Sequence, residues 1–130
     1  MADIIKYPKA GSSDTALAVD TSGNATIGGT ITNAAQLVTT SGASGTLTPT
    51  SSVMIVTTGE AYAAALANPS AAGQRLTVIQ AANFDLTIAT AANVKQYGGG
   101  DIVLSQYHLV EYVALSTSVW IMLTNADGNS

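Results

Sequence analysis

His108 is the one histidine of this 130-residue chain, and the only side chain whose ordinary titration suits general-base work near neutral pH. Nucleophilic catalysis would join such a base to a serine and an acid. Serine is so abundant here that nearness in sequence carries no information, and the neighbours Gln106 and Tyr107 place His108 in a loop or at a strand end. A plain surface or interface histidine accounts for it. One histidine and no cysteine argue against a structural zinc site within one chain; only three copies of His108 meeting on an axis would supply enough ligands. Asp85, Asp101, Glu60 and Glu111 could work as paired carboxylates, yet no spacing singles out a pair. The stretch "DTSGNATIGG" resembles a calcium loop, but Asp20 is its only acid where such loops need several. "YGGGD", residues 97–101, has glycines without the GK[ST] and following helix of a phosphate cradle; a sharp turn accounts for it. Trp120 and Tyr112 could form a stacking platform for a sugar, though their hairpin is apolar enough to use them in packing. Almost every standard catalytic part is missing, so a protein that is not an enzyme, with no metal and no cofactor, is expected.

The elements around these residues are strands. Leu17 and Val19 alternate with small residues, "TSGN" supplies turn chemistry, and Ala25 and Ile27 resume the alternation before Gly28 and Gly29 break it. A strand pair this short is marginal in water by itself. Before it, "ADIIKYP" reads as an extended arm, more apolar at Ile4, Ile5 and Tyr7 than a solvated tail requires. Residues 39–45, rich in Ser, Thr and Gly, read as a linker. Beyond it "SVMIVTT", "RLTVIQA", "FDLTIAT", "NVKQY" and "DIVLS" read as strands, and "GEAYAAALANPSAAG" as one or two helical turns or an Ala-lined loop ended by Asn68-Pro69. The chain closes on "LVEYVALSTSVWIMLT", two strands with a tight turn at Ser116 to Ser118.

That hairpin is apolar on both faces. Leu109, Val113 and Leu115 share one face with Val119, Ile121 and Leu123; Val110, Tyr112, Ala114, Trp120 and Met122 occupy the other. A half-solvated antiparallel sheet would alternate apolar with polar, so this one is expected to be covered on both sides, with Glu111 the residue that must find a partner or solvent. The pattern predicts an all-β chain. An N-terminal extended arm with a short strand pair and linker (1–44) precedes a compact antiparallel β-sandwich or barrel (45–130).

Composition limits the partners. Charged residues are 9% of the chain, against about 25% in ordinary soluble domains, and the polar remainder is mostly Thr, Ser, Asn and Gly. Such flat uncharged surface suits a subunit covered by copies of itself or by a partner. The net charge is −4 with only four basic residues, Lys6, Lys9, Arg75 and Lys95, which disfavours nucleic acid and a polybasic membrane patch. "MADIIKYPKAGSSD" has no apolar segment of the signal-peptide type, and no run approaches a transmembrane helix, so synthesis in a cytoplasm is expected.

Two stretches are similar to parts of bacteriophage virion proteins. "LAVDTSGNATIGGTIT" resembles the strand–turn–strand units of tail and head fibres. "GTLTPTSSVMIVTT", "AAGQRLTVIQAANFDLTIATAANVKQYGGGDIVL" and "EYVALSTSVWIMLTNADGN" resemble, in order, a module of phage virion proteins that ends in a hairpin with Trp120 in the tryptophan place. The turn "LSTSVW" departs from that module, with Ser where Gly is usual. The resemblance covers roughly two-thirds of the chain. It implies a β-rich homotrimer on the outside of a virion and no catalytic residues. The expectation is a trimeric capsid decoration, or cement, protein that bridges major capsid subunits. Ile4, Ile5 and Tyr7 would be its capsid-binding arm, and Tyr112, Val113, Leu115, Trp120 and Met122 would serve core and trimer packing. The alternatives are a tail or head fibre with a receptor-binding or carbohydrate-binding C-terminal domain, discriminated by an exposed aromatic patch at its tip; a sugar-binding sandwich with Trp120 or Tyr112 facing solvent; and, more remote, a hydrolase dependent on His108.

Overall fold

Short strands, many of them alternating apolar with small or polar residues, make up nearly all the regular secondary structure of the described residues. The computed structural model describes residues 3–8, 15–27 and 34–126. The chain divides into two compact units, Met1–Thr32 and Asn33–Ser130. In the first, β1 (Asp3–Pro8), β2 (Thr15–Asp20) and β3 (Ala25–Ile27) form a three-stranded antiparallel sheet in that order. Tyr7 stands opposite Leu17, and Leu17 opposite Ile27. The residues expected to form a free arm are therefore the first strand of a sheet, and the expected strand pair has a third member. The β2–β3 turn is closed by Asp20, whose carboxylate accepts from the backbone N–H of Ser22 and Asn24 and from the Asn24 amide. These bonds, the Asn24 side chain first, hold Asp20 below its ordinary carboxylate value. Gly23 takes a φ of 83° there, which glycine adopts without steric penalty.

The second unit contains β4 (Gln36–Thr39), β5 (Ser44–Leu47), β6 (Val53–Thr57), β7 (Tyr62–Leu66), β8 (Arg75–Gln80), β9 (Leu86–Ile88), β10 (Val94–Lys95), β11 (Ile102–Leu104), β12 (Leu109–Ser116) and β13 (Val119–Ala126), with a 3-10 turn at Tyr97–Gly99. One sheet has the order β10-β13-β12-β8-β6-β4 and the other β11-β9-β7-β5. From β4 to β11 successive strands belong alternately to the two sheets. The chain winds between layers, so β4, β6 and β8 are parallel neighbours in one sheet, and β5, β7 and β9 in the other. Antiparallel pairing enters only with β11 on β9, β12 on β8 and the β12–β13 hairpin. The all-β expectation holds, but the two sheets are mixed and not antiparallel. Residue-level alternation is the same for both pairings, so it could not separate them.

One core joins the sheets. Met54, Val56, Leu76, Val78, Val110, Tyr112, Trp120 and Met122 come from the larger sheet, and Leu47, Tyr62, Leu66, Leu86, Ile88 and Leu104 from the smaller. Trp120 and Tyr112 are fully buried, with ring centroids 6.4 Å apart and planes tilted by 60°, within the range of favourable aromatic pairs. Their polar atoms are satisfied. The indole N–H donates to Ala67 O at 2.8 Å. The Tyr112 hydroxyl donates to the buried Gln96 side-chain oxygen, and the Gln96 amide donates to Ile88 O at 3.0 Å. Burial pushes the Tyr112 phenol well above the ordinary tyrosine value.

Two sequence expectations change here. "AYAAALA" contains strand β7, not the helical turns or Ala-lined loop expected: Tyr62, Ala64 and Leu66 alternate inward while Ala63 and Ala65 face out, and burial outweighs alanine's helix propensity. The stretch 39–45 read as a linker contains the end of β4 and the start of β5, and both strands belong to the second unit. Gly45 is glycine because a Cβ there would collide with the Tyr62 hydroxyl. Gly45→Val is expected to lower stability by about 1–3 kcal/mol through overpacking, with part regained in the double variant Gly45→Val/Tyr62→Phe; urea denaturation reads both. Tyr112→Phe leaves the Gln96 oxygen without its donor, and a loss of about 1–3 kcal/mol is expected. Because folding raises the Tyr112 value above the unfolded 10.0, its stabilisation is complete below that pH and is lost as pH rises above it. Alkaline denaturation curves should therefore fall less steeply in Tyr112→Phe than in the natural protein.

Candidate functional site

Among the described residues of the second unit, the outer face of the six-stranded sheet carries an apolar surface on the side away from the four-stranded sheet. Strand pairing places Leu37 beside Ile55, Ile55 beside Ile79, and Ile79 beside Leu109, so one apolar row crosses four strands. A second row runs Arg75, Val113, Ile121, Lys95. Between them Val53, Thr77 and Glu111 are neighbours. Val53, Arg75, Thr77, Glu111 and Leu123 help line a groove of about 440 Å³ there. Leu37 is 78% exposed and Leu115 68%, while Val53, Ile55, Ile79, Val113 and Ile121 are half-buried. The outer face of the four-stranded sheet differs. Its row of Ser44, Ala63, Thr87 and Val103 is small and uncharged.

The hairpin residues fall on the two faces as their alternation requires. Tyr112, Trp120 and Met122 are core, and Trp120 and Tyr112 therefore present no platform to a sugar. Val113 and Leu115 lie on the outer face, Leu115 at the irregular step between Ala114 and Ser116. The turn uses the Ser116 hydroxyl, which accepts from Ser118 N–H at 3.1 Å. Neither Thr117 nor Ser118 has a positive φ, so this is not the type I′ turn that glycine favours. Glu111 is half-exposed in the groove. Ile4, Ile5 and Tyr7 belong to β1, with Ile5 opposite Val19; their side chains lie outside the described part of the structure.

The candidate chemical residues do not converge. Asp101 accepts from Thr90 N–H at 2.8 Å and fastens a loop. Asp85 accepts from the Ser105 hydroxyl at 3.2 Å. Glu60 is exposed. Among the described residues no three His, Cys, Asp or Glu side chains gather as metal ligands. Gly98 and Gly99 have φ of 76° and 71° in the 3-10 turn, which makes "YGGGD" a tight turn, with the Tyr97 hydroxyl donating to Leu123 O at 2.9 Å.

Sequence reading missed the residue that organises one whole end of the sandwich. Gln80 is fully buried. Its amide nitrogen donates to the Thr58 hydroxyl at 2.9 Å and to Phe84 O at 2.7 Å, and its side-chain oxygen accepts from Ala82 N–H at 3.2 Å. Its backbone donates to His108 O at 3.1 Å and accepts from Tyr107 N–H at 2.7 Å. Loops 58–61 and 81–85 are thus tied to the Gln80 side chain and loop 105–108 to its backbone. The only sequence signal was a polar residue at an inward position of a strongly alternating strand.

The sequence matches no known family pattern and no curated protein.

The difference between the two sheet faces is measurable. Leu37→Ser and Leu115→Ser are expected to change stability by no more than about 0.5 kcal/mol, as surface substitutions do. Trp120→Ala, which opens a core cavity, should lose about 3–5 kcal/mol. Thermal denaturation of the three variants checks the assignment.

Proposed function

We propose that this chain is a structural protein of a bacteriophage virion, a trimeric decoration protein that binds the outer surface of the head and stabilises contacts between major capsid subunits. The observation that supports this reading best is the apolar row Leu37, Ile55, Ile79 and Leu109 on the outer face of the six-stranded sheet. A chain with 9% charged residues has little to keep such faces apart in solution, and a closed threefold arrangement removes all three from water. Arg75 and Glu111 lie on this same face, so opposite charges are available to fix its orientation. The strand order makes β1 an edge of its sheet. That edge, with Ile4, Ile5 and Tyr7, is the proposed capsid contact, adding a strand to an exposed edge of the major capsid protein. Many such contacts over a shell add through multivalency. The resemblance of residues 45–130 to a phage virion module supports the same reading. A fibre reading has one observation in its favour, the exposed aromatics Phe84 and Tyr107 on neighbouring loops.

Light scattering of the full chain is expected to give three times the 13.1 kDa of one chain. Ile79→Lys should yield a folded monomer, because its side chain lies outside the core. Added to heads assembled without it, the trimer should raise the temperature at which they release DNA, and Ile79→Lys should raise it less. A natural protein that is monomeric at micromolar concentration, or that leaves head stability unchanged, overturns the proposal.

A further inference from the structure

Four loops meet at one end of the sandwich. Val56 pairs with Gln80, Leu109 with Ile79, Tyr62 with Leu86, and Leu104 with Leu86. These pairings bring residues 58–61, 81–85 and 105–108 to the same end, and 40–43 joins them through Thr40 N–H bonded to Thr57 O. Two of the loops carry aromatic side chains in solvent: Tyr107 is 76% exposed and Phe84 46%. Both are fastened at the backbone to Gln80, Tyr107 through its N–H and Phe84 through its carbonyl.

Tyr107 is the only non-glycine residue at positive φ among the described residues, with φ 68°. A bulky side chain rarely adopts that region, and such a conformation persists only where its surroundings impose it. Here they do. Besides the bond to Gln80, His108 N–H donates to Ser105 O at 3.0 Å, and the Gln106 amide donates to Ala81 O at 3.3 Å. Packing gives no reason for a tyrosine at this strained and exposed position, where glycine would satisfy the backbone.

The charges narrow the ligand. Glu60 and Asp85 lie in these loops, with Asn83 and Ser105 as further exposed polar residues. None of the four loops contains Lys or Arg; Arg75 begins β8 at the opposite end from Gln80, and Lys95 shares its row. Apart from His108, whose Nδ1 is buried, the ionisable side chains of these loops are the carboxylates Glu60 and Asp85 and the Tyr107 phenol, so the loops offer a phosphate, sulfate or other anion no Lys or Arg and two like charges. A purely apolar ligand would leave those carboxylates desolvated and unpaired. A neutral pyranose ring fits both features, since its C–H face stacks on an aromatic side chain while its hydroxyls donate to carboxylates.

We propose that this loop end is a binding site for a neutral sugar ring of an oligosaccharide, with Tyr107 and Phe84 as the stacking surfaces and Glu60 and Asp85 as hydroxyl acceptors. The site belongs to one chain and does not depend on the trimer. An array of neutral, sialylated and sulfated oligosaccharides, probed with the N-terminally labelled full chain, tests it. Neutral glycans should be retained and their charged counterparts should not. The decisive variant is Tyr107→Gly, which removes the ring and relieves the backbone at φ 68°. Its thermal midpoint should match or exceed that of the natural protein, while affinity for the retained glycan falls by about tenfold or more. Phe84→Ala should weaken the same glycan, and NMR shifts on titration should cluster in the loops and not on the outer sheet face. Retention of no neutral glycan, preference for anionic ones, or undiminished binding by Tyr107→Gly overturns the proposal. Each outcome is independent of the light-scattering mass.

Discussion

The Gln80 side chain is the interaction on which the ordered end of the sandwich depends. It occupies an inward position of β8 where the strand's other inward residues, Leu76 and Val78, are apolar. A buried amide is tolerated only when its donors and acceptor are all engaged. Gln80 meets that condition by reaching Thr58 and Phe84 with its nitrogen and Ala82 with its oxygen. Hydrophobic residues hold strands together without specifying the path of the chain between them, whereas a buried amide admits one arrangement of its partners. The loops beyond β6 and β8 are thereby held in one geometry, and the backbone of the same residue holds the loop beyond β11 through Tyr107 and His108.

Gln96 performs the corresponding task at the other end. Its amide reaches Ile88 O and, at 3.4 Å, Gly100 O, and its oxygen receives the Tyr112 hydroxyl. Ile88 closes β9 in the smaller sheet and Tyr112 lies in β12 of the larger, so this bond links the two layers. Trp120 crosses between them again through Ala67 O. The winding topology needs such links. A chain passing alternately between sheets has connections at both ends of every strand, and each end must satisfy the backbone groups that leave the ladders.

What was legible in the sequence was local. The hairpin faces could be assigned from alternation alone, and the structure places Val110, Tyr112, Ala114, Trp120 and Met122 inward and Val113 and Leu115 outward accordingly. β8 and β9 lie within stretches with apolar residues at alternate positions, Leu76 and Val78 in one and Leu86 and Ile88 in the other, and β6 and β11 within short continuous apolar runs. What was not legible depended on distant residues. Parallel and antiparallel strands share the same period, so the direction of pairing leaves no trace in one strand. Tyr62, Ala64 and Leu66 read as helical turns or an Ala-lined loop because alanine's propensity is local information and its burial beneath the opposite sheet is not. Gly45 read as the end of a linker because its neighbour Tyr62 is far off in sequence. The loop aromatics escaped notice for a related reason. Phe84 and Tyr107 stand apart in the chain, and only the pairing of β8 with β12, together with Gln80, brings their loops to one end.

The distribution of polar and apolar surface then separates two kinds of use. The outer face of the larger sheet is broad, built on ladders and carries branched apolar side chains that do not reorient readily; such a surface suits a permanent contact. The loop end has short segments, two aromatic rings and acidic groups, arranged on a frame made rigid from beneath by Gln80. Loops set on a rigid scaffold are where recognition is usually placed, because side chains there can vary without disturbing the core. A strained tyrosine in that setting makes the same point at one residue. Its backbone conformation is imposed by hydrogen bonds to a buried side chain's own strand, so its ring is presented to solvent by the fold itself and not by any packing that the ring contributes.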